Sequence, residues 1–323
     1  MRTYFKSGRD KVYAVDGVNF TVEKGEVFGL IGESGCGKSA TCRSIIGLIH
    51  PPAKIESGEV IYKGRDIAGL SGREWEEIRG KEIGMIFQEP MDTLNPVMKI
   101  KDQICDAISD AMTDEEKTRK AAEILRTVGI ASPEKRMEAF PHEYSGGMRQ
   151  RAMIAIALAA KPSLLLADEP TTALDVTIQT QIIKLLSDLK KAMGMSMILV
   201  THDLGVAAQT CDRVAVMYAG NIMETADIYT IFDSPSHPYT CGLMMSLPKT
   251  GQKNKKLTPI KGNPPNLSDK PKGCPFSPRC DFSDSLCVKG LPEMAEISTG
   301  HFSRCLRPEV LSGKAGVTGC DSR

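Results

Sequence analysis

The residues best placed to do chemistry are Gly32-Glu33-Ser34-Gly35-Cys36-Gly37-Lys38-Ser39. They fit G-x-x-x-x-G-K-[ST], a loop pattern that binds the phosphates of a nucleotide. Gly32, Gly35 and Gly37 let the backbone turn so that several N–H groups face one anion. Lys38 adds a charge that reaches the β- and γ-phosphates, and the Ser39 hydroxyl suits Mg²⁺. Ser34, Cys36 and Ala40 complete the expected nucleotide-binding set. The flanks agree with this reading. Val27 to Ile31 reads as a buried strand, and Ala40 to Ile49 as a helix whose positive N-terminal end faces the phosphates.

A second chemical pair is Asp168-Glu169, directly after the apolar run Leu164 to Ala167. A strand ending in two acids places both at the carboxyl edge of a sheet, where the phosphate loop also lies. Asp168 suits Mg²⁺, and Glu169 suits a general base that polarises water. The plain alternative is two exposed acids at a strand end. Ser145-Gly146-Gly147, with Met148, opens the helix-forming stretch MRQRAMIAIALAA and offers a second anion site at a helix N-terminus. Taken alone it reads as an ordinary N-cap. Beside the first loop it makes sense if it covers the γ-phosphate of a nucleotide held by another subunit.

Four of the ten cysteines, Cys274, Cys280, Cys287 and Cys305, sit close together among prolines and glycines. Their spacing is not a C-x2-C pair. Loops converging on a metal would align them, as an iron–sulfur cluster such as 4Fe-4S or as structural Zn²⁺. Free thiols are the third reading. His301 is a substitute ligand in principle, but a surface histidine is the simpler expectation. The other six cysteines are scattered, and with no secretory leader in MRTYFKSGRDK they are expected to be reduced.

These residues need a frame. The chain has 323 residues, 41% hydrophobic and 25% charged, which is ordinary for a globular protein. A net charge of +1 gives no case for nucleic acid as a partner. The longest apolar run, the nine residues Ala152 to Ala160, cannot span a bilayer. Glu59 to Tyr62, Ile83 to Phe87, Met197 to Val200 and Val214 to Tyr218 read as strands. Apolar runs without alternation predict parallel strands covered on both faces. Lys99 to Ser109 and Asp114 to Val128 are helical in pattern, the latter with a capping box at Thr113 and Glu116 and a stop at Gly129. Thr177 to Ala192 is amphipathic, with Ile178, Ile182, Leu185, Leu186 and Leu189 on one face. Pro248 to Lys272, rich in Pro, Lys, Gly and Asn, reads as an extended, solvated connector.

Taken together, the motifs resemble the ATPase subunit of an ABC transporter. GESGCGKS is similar to its Walker A, and LLLADEP to its Walker B. Tyr144 to Met148 resembles the signature motif, with Tyr144 where Leu is usual. Gln88 is similar to the Q-loop residue, Asp175 to the D-loop aspartate and His202 to the switch histidine. FQEPMDTLNP, SGGMRQR, ADEPTTALDVTIQ, THDLGV and SPSHPYTCGLMMSLP resemble the oligopeptide/dipeptide uptake branch, which nickel importers share in part.

The resemblance implies an α/β P-loop NTPase core with a helical subdomain and a small Cys-containing C-terminal extension. It places the nucleotide-binding domain at residues 1–233, the helical subdomain at about 89–157 and the extension at 234–323. It implies ATP and Mg²⁺ as cofactors, with Ser39, Gln88 and Asp168 around the metal and Glu169, Gln88 and His202 as the catalytic set. It implies two permease subunits, a second ATPase (commonly a paralogue) and an extracytoplasmic binding protein as partners. The chain would then work at the cytoplasmic face of the membrane, driving peptide uptake. A nickel importer, or a non-transport ATPase with a metal- or redox-sensing tail, is the alternative. Chromosome-maintenance ATPases carry a long heptad insertion and ribosome-acting ones usually two cassettes, and neither feature is present. Phe5 matches the aromatic that stacks on adenine, with Tyr4 and Tyr13 as alternatives. Family members usually begin with a strand ahead of this aromatic; only four residues precede Phe5, so either that first strand is missing or the recorded start lies downstream of the true one.

Overall fold

The computed structural model describes residues 1–8, 10–108, 111–172, 174–246 and 259–308. The chain divides into two compact units, one of Met1–Thr21, Phe28–Ala68 and Thr201–Arg323, the other of Val22–Val27 and Gly69–Val200.

The first unit is built on a mixed sheet. Val27–Ile31 is buried along its whole length and pairs in parallel with Arg213–Tyr218, Phe28 lying opposite Arg213 and Ile31 opposite Val216. Such unbroken apolar runs suit strands covered on both faces. Asn221–Asp227 then pairs antiparallel with Arg213–Tyr218. The sheet continues through His301–Ser303 to Ala295–Ser298, both antiparallel. The C-terminal segment is therefore strand-bearing and joined to the core sheet, where loops alone were expected. Arg2–Ser7, Asp10–Asp16 and Ala53–Ser57 form a separate antiparallel sheet. Arg2–Ser7 is the first described strand, and Phe5 lies within it.

The stretch expected to be a solvated connector docks where it is described. The Lys270 ammonium donates to the Tyr13 carbonyl, the Ala219 carbonyl and the Asp16 carboxylate at 3.1–3.2 Å. Residues 248–258 of that stretch lie outside the described residues. Cys36, Cys42, Cys105 and Cys211 are free thiols. Cys241 is disulfide-bonded, against the expectation of a reduced thiol. Cys320 lies outside the described residues.

The second unit has three parallel strands, Ile83–Ile86, Leu164–Asp168 and Ser196–Thr201, in which Leu164 pairs with both Ile83 and Ser196. Between the first two strands the described chain is helical, from Pro90–Thr93 to Gly146–Leu158. Asp114–Thr127 begins at the expected capping box. The Glu116 N–H donates to Thr113 Oγ1 at 3.3 Å, and the Thr113 N–H returns a bond to Glu116 Oε2 at 2.8 Å. Helix Val176–Met193 buries Ile182, Ile183, Leu186 and Leu189, and Gly194 at φ 64° closes it.

Candidate nucleotide site

The phosphate loop belongs to the first unit. It joins the buried strand Val27–Ile31 to helix Lys38–Ile45, whose N-cap is Gly37. Two of its glycines are required by close approach. A Cβ on Gly32 (φ 151°) would stand 2.2 Å from the Met217 carbonyl oxygen, and one on Gly37 (φ 106°) 2.0 Å from that of Ala14. Any side chain at either position would force the loop off the sheet. Lys38 is buried, and its ammonium donates to the Gly32 and Glu33 carbonyls at 2.9 and 3.0 Å. Ser39 and Ala40 are half-buried in the first turn of the helix, while Ser34 and Gly35 are exposed. Cys36 is buried, and burial raises its thiol pKa. His202 is exposed, just after strand Ser196–Thr201, and the next residue, Asp203, caps helix Leu204–Thr210.

Of the aromatics considered for adenine, Phe5 is the exposed one, at 39%. Tyr4 is buried beneath the Lys11 ammonium, 4.6 Å from its ring centre. Tyr13 is committed through its hydroxyl to Glu56 at 2.8 Å. Phe5 is thus the one of the three with a free face.

The acidic pair, Gln88 and the second glycine loop belong to the other unit. Asp168 is the buried last residue of strand Leu164–Asp168. Glu169 follows with φ 48°, a left-handed conformation costly for a residue with a Cβ. The turn is held by the Glu169 N–H, which donates to the Val200 carbonyl at 3.0 Å. The Glu169 carboxylate is positioned by two donors. The Gln88 amide nitrogen reaches Oε2 at 3.2 Å, and the Thr172 hydroxyl donates to the same oxygen at 2.9 Å. Gln88 itself lies between strand Ile83–Ile86 and helix Pro90–Thr93, where the helical stretch begins. Sequence reasoning found Gln88 and Glu169 but missed Thr172. A hydroxyl three residues beyond the acid was the available signal.

Ser145 caps helix Gly146–Leu158, its hydroxyl accepting from the Met148 N–H at 3.4 Å. Ser145 and Gly146 are exposed, and Met148 is half-buried. A Cβ on Gly147 would come within 3.1 Å of the Ile178 side chain, a tight contact that Ile178 would have to yield to. Tyr144 is buried and donates its hydroxyl to the Arg136 carbonyl at 3.0 Å, and burial pushes its pKa up to about 12. Asp175 caps helix Val176–Met193 through the Ile178 N–H at 2.9 Å.

The four late cysteines do come together. Cys274, Cys280, Cys287 and Cys305 all line one cavity. Burial pushes the Cys274 and Cys280 thiols up to about 11, and the neighbouring thiols raise both. Among the described residues, no three His, Cys, Asp or Glu side chains close on a single ion. His301 is neither a ligand nor a surface residue. It is buried, with Nε2 2.7 Å from Glu224 Oε1.

Residues 15–172 match the ABC transporter family, and residues 223–287 match the oligopeptide/dipeptide transporter C-terminal region. The chain is 49% identical over 311 residues to the probable peptide ABC transporter ATP-binding protein y4tR of Sinorhizobium fredii, covering 95% of this chain and 93% of that one. It is 49% identical to the oligopeptide transport ATP-binding protein OppD of Bacillus subtilis, covering 95% of this chain and 87% of that one. The chain belongs to the ABC transporter ATP-binding proteins. The dimeric ABC transporter cassette MJ0796, solved also in a post-hydrolysis state with ADP and Pi, matches with a TM-score of 0.63 at 30% identity. The match covers 70% of this chain and 96% of the cassette. The fold is that of the ABC cassette, with a mixed sheet, and the chain is an ATPase of this family. Among the described residues no helix is long and apolar enough to cross a membrane.

Proposed function

We propose that this chain is the ATP-hydrolysing subunit of an importer that carries di- or oligopeptides across the cytoplasmic membrane. One observation carries the peptide reading. The similarity continues past the ATPase motifs into residues 223–287, the region characteristic of oligopeptide/dipeptide transporters. The partners in this reading are two permease subunits, a second ATP-binding subunit and a binding protein. The chain sits at the cytoplasmic face through the permeases. Residues 1–233 form the nucleotide-binding domain, with a helical subdomain at about 89–157 that docks on the permeases, and residues 234–323 the extension.

In this reading two nucleotides lie between two ATPase subunits. Lys38, Ser39, Gln88, Asp168, Glu169 and His202 of one chain serve each nucleotide, and Ser145, Gly146, Gly147 and Met148 of the other chain cover it. The exposed N-cap at Ser145 supports a role toward a partner, because its loop is open to solvent. Asp175 lies in the D-loop. Phe5 stacks on adenine. Ser39, Gln88 and Asp168 offer oxygen donors, the set that Mg²⁺ prefers; the ion neutralises phosphate charge. Glu169, fixed by Gln88 and Thr172, accepts a proton from the attacking water. His202 directly follows strand Ser196–Thr201 and is exposed. Closure on ATP and reopening after hydrolysis move the permeases.

The four thiols in one cavity support a metal group in the extension. An iron–sulfur cluster is the first reading here, with structural Zn²⁺ and free thiols as the alternatives. The group would be structural or regulatory and not catalytic for hydrolysis, since the cysteines lie apart in sequence from every ATPase motif.

The test is reconstitution of the chain with its permeases, partner ATPase and binding protein in liposomes. Peptide uptake should require Mg-ATP, and di- or oligopeptides should stimulate hydrolysis. Stimulation by nickel chelates with no response to peptides would establish the nickel reading. An ATPase indifferent to all of them would remove the transport reading.

A further inference from the structure

The motif G-x-x-x-x-G-K-[ST] leaves its second position open, yet Glu33 is held through its N–H, its carboxylate and its carbonyl. Its backbone N–H donates to the hydroxyl of Tyr239, a fully buried side chain, at 3.0 Å. Its carboxylate takes both arms of the Arg279 guanidinium, Nη1 to Oε2 at 2.7 Å and Nη2 to Oε1 at 3.1 Å. Its carbonyl accepts from Lys38 at 3.0 Å. Tyr239 and Arg279 both lie beyond the last ATPase motif in sequence.

Arg279 is itself fixed. Its side chain is 5% exposed. Nε donates to the Lys261 carbonyl at 2.8 Å, and Nη1 also reaches the Tyr218 hydroxyl at 3.1 Å. Its guanidinium lies 5.7 and 5.9 Å from the Tyr218 and Phe276 ring centres, and these two rings pack with Tyr239 at 4.6–5.4 Å. A planar guanidinium held on several acceptors is a preorganised clamp that lysine cannot copy.

We propose that Arg279 is a positioning residue for nucleotide binding: the C-terminal extension completes the phosphate loop by clamping Glu33. Two effects follow from the geometry. Pairing cancels a carboxylate in a loop whose ligand is a polyanion, where a lone negative charge would oppose binding. Fixing Glu33 also fixes the carbonyl that Lys38 touches, so the ammonium and the loop amides keep one arrangement. The inference rests on the phosphate-loop reading of Gly32 to Ser39.

The experiment is steady-state ATP hydrolysis by the assembled transporter, with Mg-ATP titrated against three variants. Arg279→Gln should raise KM for Mg-ATP about tenfold while kcat stays within about twofold, the pattern of lost uniform binding. Adding Glu33→Gln to it removes the exposed charge and should bring KM back to within about threefold of wild type, because paired residues are non-additive. Arg279→Lys should fall between, since one ammonium cannot hold both carboxylate oxygens. If Arg279→Gln does not fold, Arg279→Lys carries the test. A wild-type KM in either folded variant, or a double variant no better than Arg279→Gln, overturns the clamp. Lys38→Ala should lose Mg-ATP binding in the isolated chain. Wild-type binding there would overturn the site reading itself, which separates that failure from failure of the clamp alone.

Discussion

Thr172 and Gln88 meet on one atom: both donate to Glu169 Oε2, at 2.9 and 3.2 Å. The base is therefore oriented by two side chains from different parts of its unit, and its left-handed backbone at φ 48° sets the direction from which they reach it. Glu169→Gln keeps the shape and removes the proton acceptor. ATP hydrolysis by the assembled transporter should fall by about 10²-fold or more, since base catalysis is typically worth 10²–10⁴. Mg-ATP binding should persist. Wild-type turnover in this variant would remove Glu169 from the mechanism.

Thr172→Val probes orientation without touching the acid. It deletes the shorter of the two hydrogen bonds and leaves Gln88 in place. We expect kcat to fall roughly three- to tenfold with KM for ATP unchanged, the pattern of an interaction that matters in the transition state. A rise in KM with kcat unchanged would mean that Thr172 serves nucleotide binding and not the base.

The signature loop gives a test of site sharing. Ser145 is exposed at a helix N-cap, and its hydroxyl accepts one N–H at 3.4 Å. Ser145→Arg should cost about 1 kcal/mol in helix capping. It should leave Mg-ATP binding to the isolated subunit intact and abolish the ATP-dependent dimer, as read by light scattering. Loss of ATP binding in the isolated subunit would place the loop in cis.

What could be read from the sequence was local. The phosphate loop, strand Val27–Ile31, and the capping box of Thr113 and Glu116 each depend on residues a few positions apart, so spacing alone reveals them. Helix Val176–Met193 was legible for the same reason, although its buried set includes Ile183 and leaves Ile178 half-buried beside Gly147. What escaped depends on distant partners. Ala295–Ser298 and His301–Ser303 are too short to show alternation, and the second exists by pairing Ser303 and Phe302 with Glu224 and Thr225. His301 looked like a surface residue because its partner Glu224 is 77 positions away. Tyr144 departs from the leucine usual in signature motifs, and only the carbonyl of Arg136 explains how a phenol is accommodated there.

His237 offers a pH test. It is fully buried, its Nδ1 accepts from the Tyr239 N–H at 3.0 Å, and its backbone N–H donates to Glu224 Oε2 at 2.9 Å. Burial, with a smaller contribution from Arg304, pushes its pKa down to about 3. The unfolded chain has an ordinary value of about 6.5, so below that pH the unfolded state takes up a proton that the folded state refuses. Stability should fall as pH drops from 6.5 towards 3, by ~1.4 kcal/mol per pH unit from this group, with no contribution above 6.5. His237→Asn keeps an N-cap acceptor without titrating. In denaturant unfolding, the wild type should lose about 1.4 kcal/mol more than the variant between pH 7.5 and 5.5. Equal losses would show that His237 does not carry the pH response.

The cavity lined by Cys274, Cys280, Cys287 and Cys305 yields the last prediction. The segment around it has little core of its own. It is tied down by the Cys274 N–H on the Cys287 carbonyl at 2.8 Å and by two short strands. Small units of this kind often draw stability from a metal, whose binding energy then becomes folding energy. Anaerobically purified protein should be brown, with visible charge-transfer absorption and about four irons per chain for a cubane cluster. Cys280→Ser should bleach the colour and make the extension protease-sensitive. Mg-ATP binding should survive, because Lys38 and the loop glycines are untouched, and any rise in KM should not exceed that of Arg279→Gln, the neighbouring substitution. Colourless anaerobic protein with one equivalent of zinc would replace the cluster with a structural ion. Protein with neither metal, and an extension equally protease-resistant when all four cysteines are serine, would leave the thiols as packing residues and end the metal reading.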